Sequence, residues 1–362
     1  MDFFPSRTLA FYMAKMFLIR IFSVVALLVL VLMSLDLLGQ SGKILAFQGN
    51  GEAELWTYVS LRAPQIIAFA LPFSVLLGTL ITLATLNQNS EVVSMKAGGL
   101  SAHQILAPLI VTSLLVAISS FLFNETVVAP ATATLSAWEK VEFGPIPRES
   151  NVKTNVWVKD GNNLVNAKVV AGRGKNVVLR DITVFSRSEN DLRSLLHADE
   201  GRYTGQSWTI TGVTRFDVAT GTEQKQDQLT IGETLRPDQF TLSSVNAEGL
   251  TLPQLKTAID DLKAAGRPTM SLEASMWHKI SGPLSAMLMP LLGAVAAFGL
   301  ARSGQLFLRA VIGMALGFAF FVADNFSLAM GNIGAYPPFL AAWAPFILFF
   351  LIGETVLVRT EE

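Results

Sequence analysis

Residues 89–99 carry the clearest chemical signature in the chain, because their types are those that start and stop a helix. Asn89 or Ser90 can cap a helix N-terminus, and the carboxylate of Glu91 suits the positive end of the helix dipole. The Gly98-Gly99 pair can end the helix through a left-handed residue. A helix over residues 90–97 would be about 12 Å long. Such a helix can lie across a membrane surface and transmit force; a solvated turn is the alternative interpretation.

Three cations form the second candidate set, and they are Lys43, Arg62 and Lys140. Lysine and arginine bind phosphate through charge-assisted hydrogen bonds, so an anionic lipid headgroup at a membrane surface would pair with them. For each of the three, simple solvation is the alternative.

Other chemistry is missing from the sequence. There is no GxxxxGK[ST] loop for nucleotide phosphates, no HExxH motif and no serine in a GxSxG setting. The histidines, His103, His197 and His278, are scattered, which argues against a metal site. We therefore predict no catalytic residue, no metal and no cofactor bound by this chain.

Polar residues also occur near the ends of the apolar stretches, namely Asp36, Glu125, Asp324 and Glu354. Ionisable groups in membrane segments usually face a cavity or a partner, but a position at the membrane interface is sufficient to explain these. Gly313-Met314-Ala315-Leu316-Gly317 has the spacing of two small residues that lets helices pack closely.

Six long apolar stretches position these residues. Apolar residues make up 51% of the chain and the mean hydropathy is +0.47. About 20 apolar helical residues cross a bilayer, and a cleaved signal peptide is too short to explain the first stretch. The predicted spans are 21–38, 63–90, 97–124, 280–301, 310–323 and 325–353, of which the fifth must be extended to 305–328.

The charged residues divide the chain into three parts. Of the 27 Lys and Arg and 28 Asp and Glu, 12 fall in residues 1–130, 9 in residues 271–362 and 34 in residues 131–270. We therefore expect three spans in 1–130, a water-soluble domain in 131–270 and three spans in 271–362. That domain has 17 acidic and 17 basic residues, a balance that gives no field to attract nucleic acid.

Basic residues flanking the spans set the orientation. Most of them fall on one side of six spans, which the positive-inside rule makes cytoplasmic. Both termini are then inside, and residues 131–270 lie in the periplasm if the cell has two membranes. The residues are Arg7, Lys15, Arg20, Lys96, Arg302, Arg309 and Arg359.

The sequence of the soluble insert predicts β structure. Short runs rich in β-branched and aromatic residues alternate with Gly and Asn turns at a spacing near ten residues, which predicts an antiparallel sandwich, jelly roll or half-open barrel. The chain has no cysteine, so a core rather than disulfides must hold this domain. Residues 252–265 have a helical pattern. The predicted strands are 156–158, 164–170, 177–185, 201–203, 208–213 and 229–231.

Three separated segments resemble the lipopolysaccharide-export permeases of the LptF/LptG family. They are residues 91–101, residues 156–163 and the Met276-Trp277-His278-Lys279-Ile280 run with Pro283-Leu284. The similarity extends over essentially the whole chain, and the Trp-x-Lys-Asp-Gly run at Trp157 favours the LptG branch. Where family members carry lysines, this chain has Met33 and Gln65.

The resemblance implies an inner-membrane permease subunit that extracts lipopolysaccharide, with six spans and a periplasmic β-jellyroll. Its partners would be an LptF-like subunit, an LptB-like ATPase dimer that uses ATP, and an LptC/LptA-like jellyroll bridge. Residues 90–97 would be the coupling helix. The ATPase contacts would be Glu91, Val92, Met95, Lys96 and Gly98.

Lifting acyl chains out of a bilayer costs about 0.8 kcal/mol per CH₂ group, so the chains need shielding on the way. We therefore expect the inner face of the β domain to be an open apolar slot. Three other interpretations stay open: an LptF-type sister subunit, an ABC subunit that transmits force without transport, and a membrane-anchored periplasmic assembly factor. Six spans split three and three argue against the second.

Overall fold

A computed structural model describes most of the chain in two compact units. One unit comprises Met1–Ile146, Ala247–Lys256 and Thr269–Glu362, and the other comprises Pro147–Asn246 and Thr257–Pro268. The domain boundaries at 130/131 and 270/271 stay a prediction. The described residues are 6–146, 152–160, 163–171, 177–188, 191–205, 207–218, 220–231, 235–237, 240, 246–264, 268–298 and 306–359.

Helices build the first unit, one of them only in part. In chain order they are α1 Arg7–Ala46, α2 Glu52–Gln88, the short α3 Glu91–Ala97, α4 Ala102–Phe123, α5 Ala129–Lys140, α6 Leu252–Ala264, α7 Met270–Phe298, α8 Leu306–Asn332 and α9 Pro338–Arg359. Of α6, only residues 252–256 belong to this unit, and the rest belong to the second unit. A π-helical turn, Asn124–Val128, joins α4 to α5 without a break. The predicted helix over 252–265 is confirmed as α6 up to Ala264, and residue 265 lies outside the described residues. Helices satisfy their own backbone hydrogen bonds, which a membrane requires.

Five helices among the described residues are long and apolar enough to cross a membrane. They are Arg7–Ala46, Glu52–Gln88, Ala102–Lys140, Val311–Asn332 and Pro338–Arg359. The predicted span over 280–301 falls mostly within α7, and its last three residues, like Arg302, lie outside the described part of the chain. The count of six spans therefore stays a prediction.

Close packing of α2 against α1, α7 and α8 forms the core of the bundle. Leu83, Leu86 and Leu288 are each at most 1% exposed in this core. Gly317 of α8 faces Leu76 of α2 so closely that a Cβ atom at Gly317 would overlap the leucine side chain. The predicted helix contact of the small-residue face of α8 is thus confirmed at Gly317.

The second unit contains a six-stranded antiparallel sheet with the order β1-β2-β3-β4-β5-β6. All six predicted strands exist, although β4 begins ten residues earlier than predicted. Every described neighbour in the sheet is also a neighbour in sequence, whereas a jelly roll requires Greek-key crossings, so the jelly-roll topology is not confirmed. The strands are Val152–Asp160, Asn163–Ala171, Val178–Ser188, Asp191–Tyr203, Trp208–Asp217 and Thr222–Ile231.

A polar crease crosses the whole sheet. At one level, neighbouring described strands lack one registered pair, or two between β4 and β5, while the register is the same on both sides of the gap. Buried residues lie three apart across this level, as in Leu179 and Ile182, instead of two apart. The strands β2 to β5 therefore bury the same face on both sides of this level. The crease consists of Asn155, Lys168, Asp181, Asp199, Gly212 and Asp227.

The buried face of this sheet is closed, so the predicted open apolar slot is wrong for the described residues. Side chains of its core, including Ile182 and Ile210, are 0 to 7% exposed. The indole N–H of Trp208 donates to the Leu235 carbonyl at 2.9 Å, and the Trp208 ring packs edge-on against Phe240. Large side chains thus fill the space that an acyl chain would need.

Substitution of Gly212 by alanine tests the crease. Gly212 has φ +68, and a Cβ there would overlap the Asp199 carboxylate, so Gly212→Ala should lower local stability by about 1–3 kcal/mol. Hydrogen exchange of β4 and β5 peptides, measured by mass spectrometry in the full chain, should speed up accordingly. Gly221→Ala is the control, since Gly221 has φ +64 but open space around it. Equal effects of the two substitutions would contradict a packed crease.

Candidate functional site

The predicted short helix exists as α3, Glu91–Ala97. Its N-terminal cap is Ser90, which has the left-handed φ of 59, and the Ser90 carbonyl accepts from the Ser94 N–H at 3.0 Å. The Ser90 side chain makes no cap hydrogen bond, which differs from the expected side-chain capping. The backbone bend at Ser90 therefore sets the angle between α2 and α3.

A Schellman motif ends α3. Gly99 has φ +86, its N–H donates to the Lys96 carbonyl at 3.0 Å, and the Leu100 N–H donates to the Met95 carbonyl at 3.1 Å. Gly98 has φ −77, a conformation that any residue adopts. Gly99 is thus the position that requires glycine, and the sequence had indicated only the pair.

The helix α3 has one buried face and one exposed face. Val92 and Met95, which are 4% and 9% exposed, pack into the helix-bundle core. Val93 is 65% exposed, and Lys96 and Ala97 lie on the same exposed side. The exposed face is available to a partner, whereas the buried pair holds the helix on the bundle.

Hydrogen bonds fix Glu91 at the start of α3. The Tyr12 hydroxyl of α1 donates to Glu91 Oε1 at 3.4 Å, and Asn89 Nδ2 donates to the same oxygen at 3.2 Å. The carboxylate thereby links α1 to the short helix. Contact of Glu91, Val92, Met95, Lys96 and Gly98 with an ATPase stays a prediction.

The three predicted cations lie near one apolar cluster that joins the ends of α1, α2 and α5. Its buried members are Met33, Ile44, Tyr58, Ile66, Leu135, Trp138 and Phe143. Lys43 precedes Ile44 in the last turn of α1, and Lys140 is the last residue of α5; both side chains are exposed. The structure thus places them at the same end of the bundle.

Arg62 is held within the chain. Its Nε and Nη2 donate to the Asp36 carboxylate at 3.2 and 3.0 Å, and its Nη1 donates to Gln65 Oε1 at 2.6 Å. The Tyr58 hydroxyl donates to Asp36 Oδ2 at 2.6 Å. The guanidinium of Arg62 therefore stabilises the contact between α1 and α2. The sequence analysis did not predict this role.

Two histidine–carboxylate contacts also connect the bundle helices. His278 of α7 lies 3.0 Å from Asp324 of α8, and His103 of α4 lies 3.3 Å from Glu354 of α9. The signal in the sequence was an isolated polar residue near the ends of some apolar stretches, such as Asp324 and Glu354. Such residues indicate that a partner exists, but they do not identify it.

Glu125 lies inside the π-helical turn, a feature often found at functional sites. Its Oε2 accepts from the Leu252 N–H at the start of α6 at 2.6 Å, and its Oε1 lies 3.6 Å from Lys279 Nζ of α7. One carboxylate thus links three helices. Within the described residues, no group of three or more His, Asp or Glu could hold a metal ion.

Comparison with known proteins shows to which family this chain of helices and inserted strands belongs. The family model of the lipopolysaccharide export system permease LptF/LptG matches residues 11–359. The chain belongs to this family. The long apolar helices and the family together support a multi-pass inner-membrane protein that is a subunit of a lipopolysaccharide export permease.

Curated relatives carry the same description. The chain is 28% identical over 309 residues to the lipopolysaccharide export system permease protein LptG of Escherichia coli K12, which covers 83% of this chain and 84% of that protein. It is 26% identical over 327 residues to the LptG protein of Haemophilus influenzae, which covers 87% of this chain and 89% of that protein. The resemblance inferred from the three sequence segments is confirmed.

Alanine at the two glycines after α3 should have unequal effects. Gly99→Ala forces a side chain into the left-handed region and should destabilise the C-terminal end of α3 by about 1 kcal/mol. Gly98→Ala is the matched control, because its backbone angles suit any residue. Hydrogen exchange of the peptide that covers α3 should rise only in the Gly99 variant. A rise in both variants, or in neither, would contradict the Schellman assignment.

Proposed function

We propose that the chain is an LptG-type half of an ABC exporter that extracts lipopolysaccharide from the inner membrane, driven by a separate ATPase. The observation that carries the proposal is α3, which is anchored by Val92 and Met95 and exposes Val93 and Lys96. A helix held in this way moves with the bundle when a partner pushes on its exposed face. The relatives named LptG favour this type over the LptF-type sister subunit.

The proposed extraction needs an external energy source, because removing a lipid from the bilayer costs free energy. Each CH₂ group that leaves the bilayer costs about 0.8 kcal/mol, so a lipid with several acyl chains does not leave unaided. The sequence contains no Walker loop to bind ATP. Hydrolysis in an LptB-like dimer, transmitted through α3, would supply the energy.

Two further partners complete the proposed machine. An LptF-like subunit would form the other half of the membrane channel, and an LptC/LptA-like bridge would receive the lipid on the periplasmic side. Both termini would be cytoplasmic and residues 131–270 periplasmic, with six spans in total. Lys96 and Arg7 then lie on the cytoplasmic side, as the positive-inside rule requires.

The α3 face provides the test of the ATPase contact. Val93→Asp places a charge on the exposed side of α3 without disturbing the buried pair, so it should reduce co-purification of the ATPase about tenfold. Ile333→Asp is the control, because Ile333 is 73% exposed in the connection after α8. Both variants should retain the wild-type melting temperature. Undiminished recovery of a Walker-containing ATPase with Val93→Asp would contradict the proposal.

The cations provide a separate test of cargo binding. Lys43→Gln and Lys140→Gln should each weaken lipopolysaccharide crosslinking while leaving stability unchanged, since both side chains are exposed. Arg62→Gln should lower the free energy of unfolding by about 1–3 kcal/mol, because it leaves the Asp36 carboxylate without its guanidinium partner. Urea unfolding of the purified subunit would measure this loss. An Arg62 variant of normal stability and poor crosslinking would instead assign Arg62 to the headgroup.

A further inference from the structure

A buried carboxylate lies at the end of α4 that is remote from α3. Glu125 comes two residues after α4, whose 22 residues are about 33 Å long, and its side chain is 15% exposed. Its Oε1 atom is buried, and no group in the described part of the chain donates a hydrogen bond to it. The negative charge there is therefore balanced by Lys279 Nζ of α7, which lies 3.6 Å away.

The same carboxylate holds the start of α6. Its Oε2 accepts from the Leu252 N–H at 2.6 Å, and just before this point Gly249 is buried against Ala133 of α5. A Cβ at Gly249 would lie 3.2 Å from Ala133 Cα, so the backbone there packs directly on α5. The helix α6 continues beyond Lys256 into the second unit. Its beginning is thus fixed to the bundle at two points.

Because one carboxylate serves both α6 and α7, the positions of these two helices depend on each other. Lys279 is itself only 15% exposed, and a buried charge that loses its partner is strongly destabilising. A shift of α7 that left Glu125 behind would separate the two charges. A shift that carried Glu125 along would pull on the Leu252 N–H and hence on the first turn of α6. The second response keeps both contacts, so it is the one that these contacts favour.

A neighbouring contact on α7 provides a comparison. His278 Nε2 lies 3.0 Å from Asp324 Oδ2, and the Asp324 side chain is 15% exposed, as is that of Glu125. This contact joins α7 to α8, whereas the contact of Lys279 joins α7 to the carboxylate that also holds α6. The two acidic residues therefore make it possible to separate the loss of a carboxylate from the loss of the link to α6.

We propose that Glu125 is a positioning residue that makes the start of α6 follow movements of α7 during the transport cycle, with Lys279 as the cation through which α7 acts on it. This inference rests on the proposed export function, in which a partner pushes on α3 at the other end of α4. Because α6 continues into the second unit, a movement of α7 then reaches that unit through the helix itself. Without the carboxylate, the ATPase would still hydrolyse ATP, but the movement would end in the bundle.

The amount of lipid released per ATP hydrolysed tests this role. The complex of the full chain with its ATPase and sister subunit is placed in vesicles that contain lipopolysaccharide. Lipopolysaccharide crosslinked to an added LptC/LptA-like bridge is measured together with ATP hydrolysis. Glu125→Gln keeps an acceptor for the Leu252 N–H but leaves Lys279 without a counter-charge. It should lower the release per ATP about tenfold while ATP hydrolysis persists.

Two further variants separate positioning from stability. Glu125→Gln combined with Lys279→Met leaves neither charge of the pair buried without a partner, so this double variant should melt like the wild type and still lose release per ATP. Asp324→Asn is the matched control, because it removes a carboxylate of equal exposure that contacts the adjacent residue of α7. It should retain the wild-type release per ATP.

Hydrogen exchange of the peptide that covers residues 247–256 gives a second readout in the same complex. In the wild type, addition of ATP with vanadate should change the exchange of this peptide. In the double variant, the exchange without nucleotide should equal that of the wild type, but the response to ATP with vanadate should be absent. A residue that served stability alone would alter the exchange without nucleotide instead.

Wild-type release per ATP in the double variant, or a nucleotide response that persists there, would overturn the proposal. An equal loss of release in Asp324→Asn would also overturn it, because the effect would then not depend on the link to α6. A wild-type complex that releases no lipopolysaccharide would contradict the proposed export function and this inference with it. That failure is distinguishable from the others, because it appears without any substitution.

Discussion

An unpaired polar group costs several kcal/mol in hydrocarbon, and this cost governs how the membrane unit is built. The backbone avoids this cost by forming long helices, in which its polar groups are hydrogen-bonded to one another. Ionisable side chains reduce the cost by pairing between helices, as Asp36 does with Arg62 and His278 with Asp324. Because each pair joins two different helices, the polar residues that the membrane tolerates poorly are also those that fix helix positions. Apolar contacts alone would let the helices slide more easily, since lipid is as apolar as the side chains it replaces.

The short helix α3 follows the same logic on a smaller scale. Seven residues are too few to hold a helix in water, so tertiary contacts must supply its stability. Val92 and Met95 supply the apolar contact, and Glu91 supplies a hydrogen-bonded link to Tyr12 of α1. Any load on the exposed face of α3 is therefore carried into the bundle core and into α1. A flexible loop at this position would absorb such a load.

Much of this fold could be predicted from the sequence, and the misses have physical causes. Charge-free runs revealed the helices, and the glycine pair after Ala97 revealed the end of α3. The first ten residues of β4, Asp191–Glu200, escaped because their charged and polar side chains lie among the apolar ones. The crease shifts the alternation of buried and exposed residues by one position in β2 to β5, so these strands do not show a strict two-residue pattern in the sequence. Arg62 looked free for a lipid, because a partner 26 residues away in sequence cannot be recognised from spacing.

The π-helical turn has a consequence for the direction in which α5 faces. A π-turn holds one residue more than the α-turn it replaces, and one residue corresponds to about 100° around a helix. Everything from Ala129 onward is therefore rotated relative to an uninterrupted α4. That rotation points Leu135 and Trp138 towards Tyr58 and leaves Lys140 in contact with solvent. A single extra residue thus sets the direction in which the whole α5 end of the third long helix faces.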